Sequence, residues 1–130
     1  MPTVVLGYVP KPEGEAALAA SISEARLREA DLVVVHAHRA QHGDDAGSGQ
    51  AELDDVRARV EAAGVTVDVR NPETSLEASE GLLAVAEEVG AELIVIGLRR
   101  RTPVGKLILG SNAQRILLDA HCPVLAVKSD

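Results

Sequence analysis

Leu93-Ile94-Val95-Ile96-Gly97-Leu98-Arg99-Arg100-Arg101-Thr102-Pro103-Val104-Gly105-Lys106-Leu107-Ile108-Leu109-Gly110-Ser111-Asn112-Ala113-Gln114-Arg115 is the stretch on which the fold turns. An apolar run reads as a buried strand and ends at a glycine. A loop rich in Gly, Arg and Lys follows, and then Gly-Ser opens an amphipathic helix. Strand, loop and helix in that order build an anion site. Backbone N–H groups at the helix start face outward, and the positive end of the helix dipole lies behind them. The expected visitor is a small molecule that carries phosphate.

The same alternation runs through the rest of the chain. Thr3 to Val9 reads as a near-continuous apolar strand, broken by Pro10, Pro12 and Gly14. A helix is expected from about Glu13 to Glu29, with Leu18, Ile22 and Ala25 on one face. Leu32 to His38 reads as a second buried strand. Arg39 to Gln50 is polar and glycine-rich and reads as a mobile loop. Leu53, Val56, Val60 and Ala63 mark a helix closed by Gly64. Val65 to Val69 alternates and is expected nearer the sheet edge. Asn71 to Ser75 reads as a turn, with Thr74 or Ser75 capping a helix whose stripe is Leu82, Ala86 and Val89. Gly90 ends that helix, and Glu92 to Gly97 is the fourth strand. Ala113, Ile116, Leu117 and Ala120 mark the last helix, and Val124 to Val127 the last strand. Strands that alternate with helices predict an α/β fold around one parallel sheet, with residues 1–130 as a single domain.

Composition narrows the function. Only 1% of residues are aromatic, so Val, Leu, Ile and Ala must build the core. Such residues suit parallel strands covered on both faces. The net charge of −7 disfavours nucleic acid, whose backbone an acidic domain repels. The basic residues from Arg99 to Lys106 are a local exception that suits a small anion. The single cysteine, Cys122, excludes an internal disulfide and reads as a small buried hydrophobe. No apolar run is long enough to span a membrane, and the N-terminus enters a strand directly. The expected location is the cytoplasm.

The basic loop fails two nucleotide motifs. A Walker A loop needs glycine five residues before Gly105 and a hydroxyl after Lys106; Arg100 and Leu107 stand there. No Gly-x-Gly-x-x-Gly follows the first strand, so a dinucleotide fingerprint is absent. His36 and His38 share a strand face but lack a third metal ligand at convincing spacing, and they read better as strand-end histidines near a ligand crevice. His121 and Cys122 are adjacent and point apart, which makes a poor catalytic pair. Asp54, Asp55, Glu87 and Glu88 read as solvated helix faces. No nucleophile with an oriented base is found, so no catalytic residue is expected.

The last third resembles the universal stress protein family. That family's pattern is Gly, two residues, Gly, nine residues, Gly, then Ser or Thr. Gly97, Gly110 and Ser111 match it, and Arg100 holds the place of the second glycine. The tail from Gln114 to Leu117 and from Cys122 to Lys128 is also similar. The resemblance implies a doubly wound, Rossmann-like five-stranded sheet of order 3-2-1-4-5, with its ligand crevice between the first and fourth strands. It implies a regulatory stress-response protein that binds ATP or a related adenine nucleotide without significant turnover, and so is not an enzyme. Magnesium is left open. Members that bind ATP usually carry Asp at the end of the first strand, where this chain has Val9-Pro10-Lys11; Lys11 is available to a phosphate instead.

The expected binding residues are Val9, Pro10, Lys11, His36, Gly97, Arg99, Arg100, Lys106, Gly110, Ser111 and Asn112. Arg100 either obstructs the phosphate or turns outward and adds a contact. A homodimer is expected through the Val124–Val127 strand, an apolar edge of the kind that pairs unless covered, and an unidentified protein partner is expected as well. The alternative is a nucleotide-free dimeric interaction protein of the same family. A slow nucleotide hydrolase or transferase is the third reading, and the missing base and metal ligands count against it.

Overall fold

The structure is a computed structural model that describes residues 2–36, 45–71, 78–98 and 110–129, with backbone alone for 45–50. Its strands are β1 (Thr3–Tyr8), β2 (Asp31–His36), β3 (Val67–Arg70), β4 (Leu93–Leu98) and β5 (Val124–Lys128). Its helices are α1 (Pro12–Arg28), α2 (Asp45–Ala62), α3 (Ala78–Val89) and α4 (Ser111–Asp119). The five strands form one sheet in the order β3-β2-β1-β4-β5. Every pairing is parallel, with β1 central between β2 and β4.

Alternation within the strands makes two cores. Val4, Leu6 and Tyr8 face α1 and α2 and pack with Leu18, Leu53, Val56 and Val60. Val5, Ile94 and Ile96 face α3 and α4 and pack with Leu82, Val85, Ala86 and Ile116. Both faces of the sheet are thus covered, which is why β1, β2 and β4 read as unbroken apolar runs. Gly64 and Gly90 end their helices at φ 82° and 65°, as their places in the sequence predict. Glu29 ends α1 in the same left-handed region without being glycine.

Some boundaries differ from expectation. α2 begins at Asp45, so residues 45–50 are helical rather than loop. Gly47 and Gly49 each cost a helix about 1 kcal/mol relative to Ala. Extending an established helix is cheap compared with nucleating one, and the buried stripe Leu53, Val56 and Val60 anchors this one. β3 starts at Val67 rather than Val65, β4 runs one residue further, to Leu98, and β5 extends to Lys128. On α4 only Ile116 is fully buried, and Leu117, expected on the inner face, is exposed. Residues 37–38, at the expected end of the second strand, and Thr74 and Ser75, the expected helix caps, lie outside the described residues.

Candidate functional site

In an all-parallel sheet every following helix starts above the C-terminal ends of the strands. The start of α1 and the end of β4 meet there in close contact. Gly14, in the first turn of α1, presses on the Val9 carbonyl: a Cβ on Gly14 would stand 2.7 Å from that carbonyl carbon. Gly97 presses on the first turn of α1 in the same way, 2.6 Å from the Glu13 carbonyl carbon. Gly97 therefore does more than let the chain leave the strand. It is still inside β4, in register with Val127, and it admits the backbone of α1.

Of the expected site residues, Val9, Pro10 and Lys11 form the short link from β1 to α1. The Lys11 N–H donates to the Val9 carbonyl at 2.9 Å across Pro10. Lys11 is the N-cap of α1 and offers no side-chain acceptor to its amides. His36 closes β2, buried, in register with Tyr8. Arg99, Arg100 and Lys106 lie outside the described residues, as do His38, His42 and Asp44.

Gly110 is the N-cap of α4 at φ −71° and ψ 166°, an extended conformation open to any residue. Its carbonyl accepts the Gln114 N–H at 3.0 Å and starts the helix. A glycine has no side chain with which to cap, so the first amides of α4 receive no side-chain acceptor from position 110. The first turns of α1 and α3 carry Glu13, Glu15 and Glu80, whereas that of α4 carries no acid. Ser111 is exposed at this helix start. The donor set fits an anion. Among the described residues no group of three or more His, Cys, Asp or Glu side chains is placed to hold a metal.

Asn112 has a partner on α3. Its Oδ1 accepts the backbone N–H of Ser79, in the first turn of α3, at 3.3 Å. No periodicity in the sequence announces that contact.

A second polar cluster was also missed. Tyr8, the single aromatic residue, donates its hydroxyl to Glu15 Oε2 at 2.7 Å. Arg59 from α2 grips the same carboxylate with two nitrogens, at 2.8 and 3.0 Å, and reaches Asp55 at 3.2 Å. Arg59, and then the Tyr8 hydroxyl, hold the Glu15 carboxyl below the usual glutamate range. Burial, and then Glu15, push the Tyr8 phenol above the usual tyrosine range. These residues line an open cavity of about 420 Å³ with Ala51 and Glu52. Its lone aromatic wall was the one sequence signal available. Cys122 is half-buried and reduced, and burial raises its thiol pKa. Asp54, Asp55, Glu87 and Glu88 are exposed, as expected.

Comparison with known proteins adds kinship. The chain matches the model of the universal stress protein family over residues 1–128. A universal stress protein of Mycolicibacterium smegmatis is 44% identical over 126 residues, 96% of each chain. The solved structure of a universal stress protein from Archaeoglobus fulgidus is similar at a TM-score of 0.83, with 31% identity over 98% of both chains. A universal stress protein from Archaeoglobus fulgidus in complex with dAMP is similar at a TM-score of 0.78, with 26% identity over 98% of both chains.

Proposed function

The chain belongs to the universal stress protein family, and we propose that it binds an adenine nucleotide, ATP or a close relative, as a stress-response regulator without significant turnover. The observation that carries this reading is the start of α4. Gly110 leaves the first amides without a side-chain cap, Ser111 adds an exposed hydroxyl, and no acid competes for the helix dipole. The dAMP held by the Archaeoglobus fulgidus relative supports an adenine nucleotide as the ligand.

In this reading the phosphates meet Gly110, Ser111 and the cations of the preceding loop, Arg99, Arg100 and Lys106. Lys11 approaches from the end of β1. Val9, Pro10 and His36 border the nucleoside, and Gly97 keeps the floor between β1 and β4 thin. Val9-Pro10-Lys11 offers no carboxylate to a metal or a ribose, so binding depends little on magnesium. A bound nucleotide acts by changing the surface offered to a protein partner or to a second copy of the chain. The second copy pairs through β5. That strand is last in the sheet order and hydrogen-bonds β4 on one side, and Leu125 on it is 36% exposed. A domain of this kind works in the cytoplasm; among the described residues no helix is long and apolar enough to cross a membrane.

The test is mass spectrometry of whatever small molecule leaves the purified protein on denaturation, followed by titration with that molecule. An adenine nucleotide at near-stoichiometric yield is expected. A protein that releases none and binds none acts instead as a nucleotide-free interaction module.

A further inference from the structure

We propose that the Asn112 side chain is a positioning group: its oxygen sets the direction of the α4 amides by holding the first turn of α3. The inference rests on the nucleotide reading of that helix start.

α4 is nine residues long and fully buries one side chain, Ile116. A helix that short has little stability of its own, so tertiary contacts decide how it lies. Ile116 sits in its second turn and fixes depth more than direction. Arg115 reaches Glu80 of α3 at 3.7 Å, with both side chains well exposed, and such a pair contributes little. Asn112 is different because it lies in the first turn and meets a buried partner. Ser79 is 0% exposed, and its N–H is one of the donors that the start of α3 leaves without an intrahelical acceptor. The Asn112 carbonyl oxygen at 3.3 Å satisfies it. The amide orientation is forced, since a backbone N–H needs the oxygen and not the nitrogen.

This contact joins the two helix starts that flank the β4 end. The Asn112 oxygen, an acceptor like those of phosphate, serves the Ser79 N–H and not the ligand. What the contact supplies is a fixed direction for the Ser111, Asn112 and Ala113 amides. Hydrogen bonds weaken steeply as donors turn from their acceptors. Loss of the Ser79 contact therefore lowers affinity for phosphate and leaves the nucleoside end unchanged. A side chain with a merely structural role moves both ends together or neither.

The experiment is a double-mutant cycle in the full chain, Asn112→Ala against Ser79→Pro, read by calorimetric titration with dAMP and with adenosine. Proline is tolerated in a first helical turn and deletes the N–H itself. Asn112→Ala is expected to weaken dAMP binding about fivefold, to leave adenosine binding unchanged, and to add nothing once Ser79→Pro is present. Hydrogen exchange at the Ser79 amide is expected to accelerate in Asn112→Ala, and that reading decides the case if Ser79→Pro does not fold. Full dAMP affinity in Asn112→Ala, unchanged Ser79 exchange, or losses that simply add would overturn the role and leave the nucleotide reading standing. A parent protein that binds no dAMP would overturn both.

Discussion

Gly97 of β4 lies against the Glu13 carbonyl of α1, so close that a Cβ at Gly97 would sit 2.6 Å from that carbonyl carbon. Backbone meets backbone there, and neither can turn aside as a flexible side chain does. Gly97→Ala is therefore expected to destabilise the fold by about 2–4 kcal/mol, as forced overpacking of a tight site does. Gly14→Ala, against the Val9 carbonyl, belongs to the same class. Gly64→Ala and Gly90→Ala are the controls. They have open space around them but a positive φ, and each should cost about 1 kcal/mol. Urea unfolding of the four variants is the check, and equal costs in all four would refute the close-approach argument.

The Tyr8–Glu15–Arg59 cluster predicts a pH response at both ends of the scale. Glu15 has its folded pKa lowered, chiefly by Arg59. Its contribution is fully present above the usual glutamate range and is lost as pH falls through the depressed value. Tyr8 has its folded pKa raised, chiefly by burial. Its contribution is present below the usual tyrosine range and is lost as pH rises through the raised value. Glu15→Gln should flatten the acid limb of a stability-against-pH curve, and Tyr8→Phe the alkaline limb. Because Glu15 and Arg59 are nearly half exposed, solvent keeps the acid effect small. Tyr8→Phe should cost about 1 kcal/mol at neutral pH, the scale of one hydrogen bond. Thermal melts across pH read both effects, and unchanged limbs would count against the cluster.

Much of this was legible in the sequence, and the limits have physical causes. β1, β2 and β4 are buried on both faces, so their apolar runs are dense enough to read directly. Gly64 and Gly90 stand where helical periodicity stops, and their left-handed φ follows from that position. The start of α2 was not legible, because Gly47, Ser48 and Gly49 carry turn chemistry that a helix anchored further along overrides. Gly97 gave no sign of its contact with the Glu13 carbonyl, since close approach between distant segments leaves no period in the chain. The bond between Ser79 and Asn112 was hidden for the same reason. Gly-Ser was expected to open the last helix, and Ser111 does open α4 with Gly110 as its N-cap.

The place of β5 at the end of the sheet order, among the described residues, predicts self-association. Ala126→Pro would remove a donor on the side of β5 that faces away from β4 and distort that edge. Sedimentation of the parent should give a dimer at micromolar concentration, and the variant should shift toward monomer. An isologous pair explains that shift, because each strand meets its own copy and one substitution strikes twice. A monomeric parent would remove the strand from the account.

Charge should govern the ligand end. Ser111→Ala is expected to weaken phosphate binding by roughly 1–2 kcal/mol, the scale of a hydrogen bond to a charged group. Nucleotide affinity should fall as salt rises, because the loop cations act through the solvent. Titration at low and high salt reads both, and a Ser111→Ala variant that binds like the parent would reduce Gly110-Ser111 to a plain helix start.

The most direct test is calorimetric titration of the intact protein with dAMP, with adenosine and with ATP, each with and without magnesium. The account predicts saturable binding of dAMP and ATP, adenosine weaker by about tenfold or more, and little change on adding the metal. Adenosine binding as tightly as dAMP, or no nucleotide binding under any of these conditions, would contradict it.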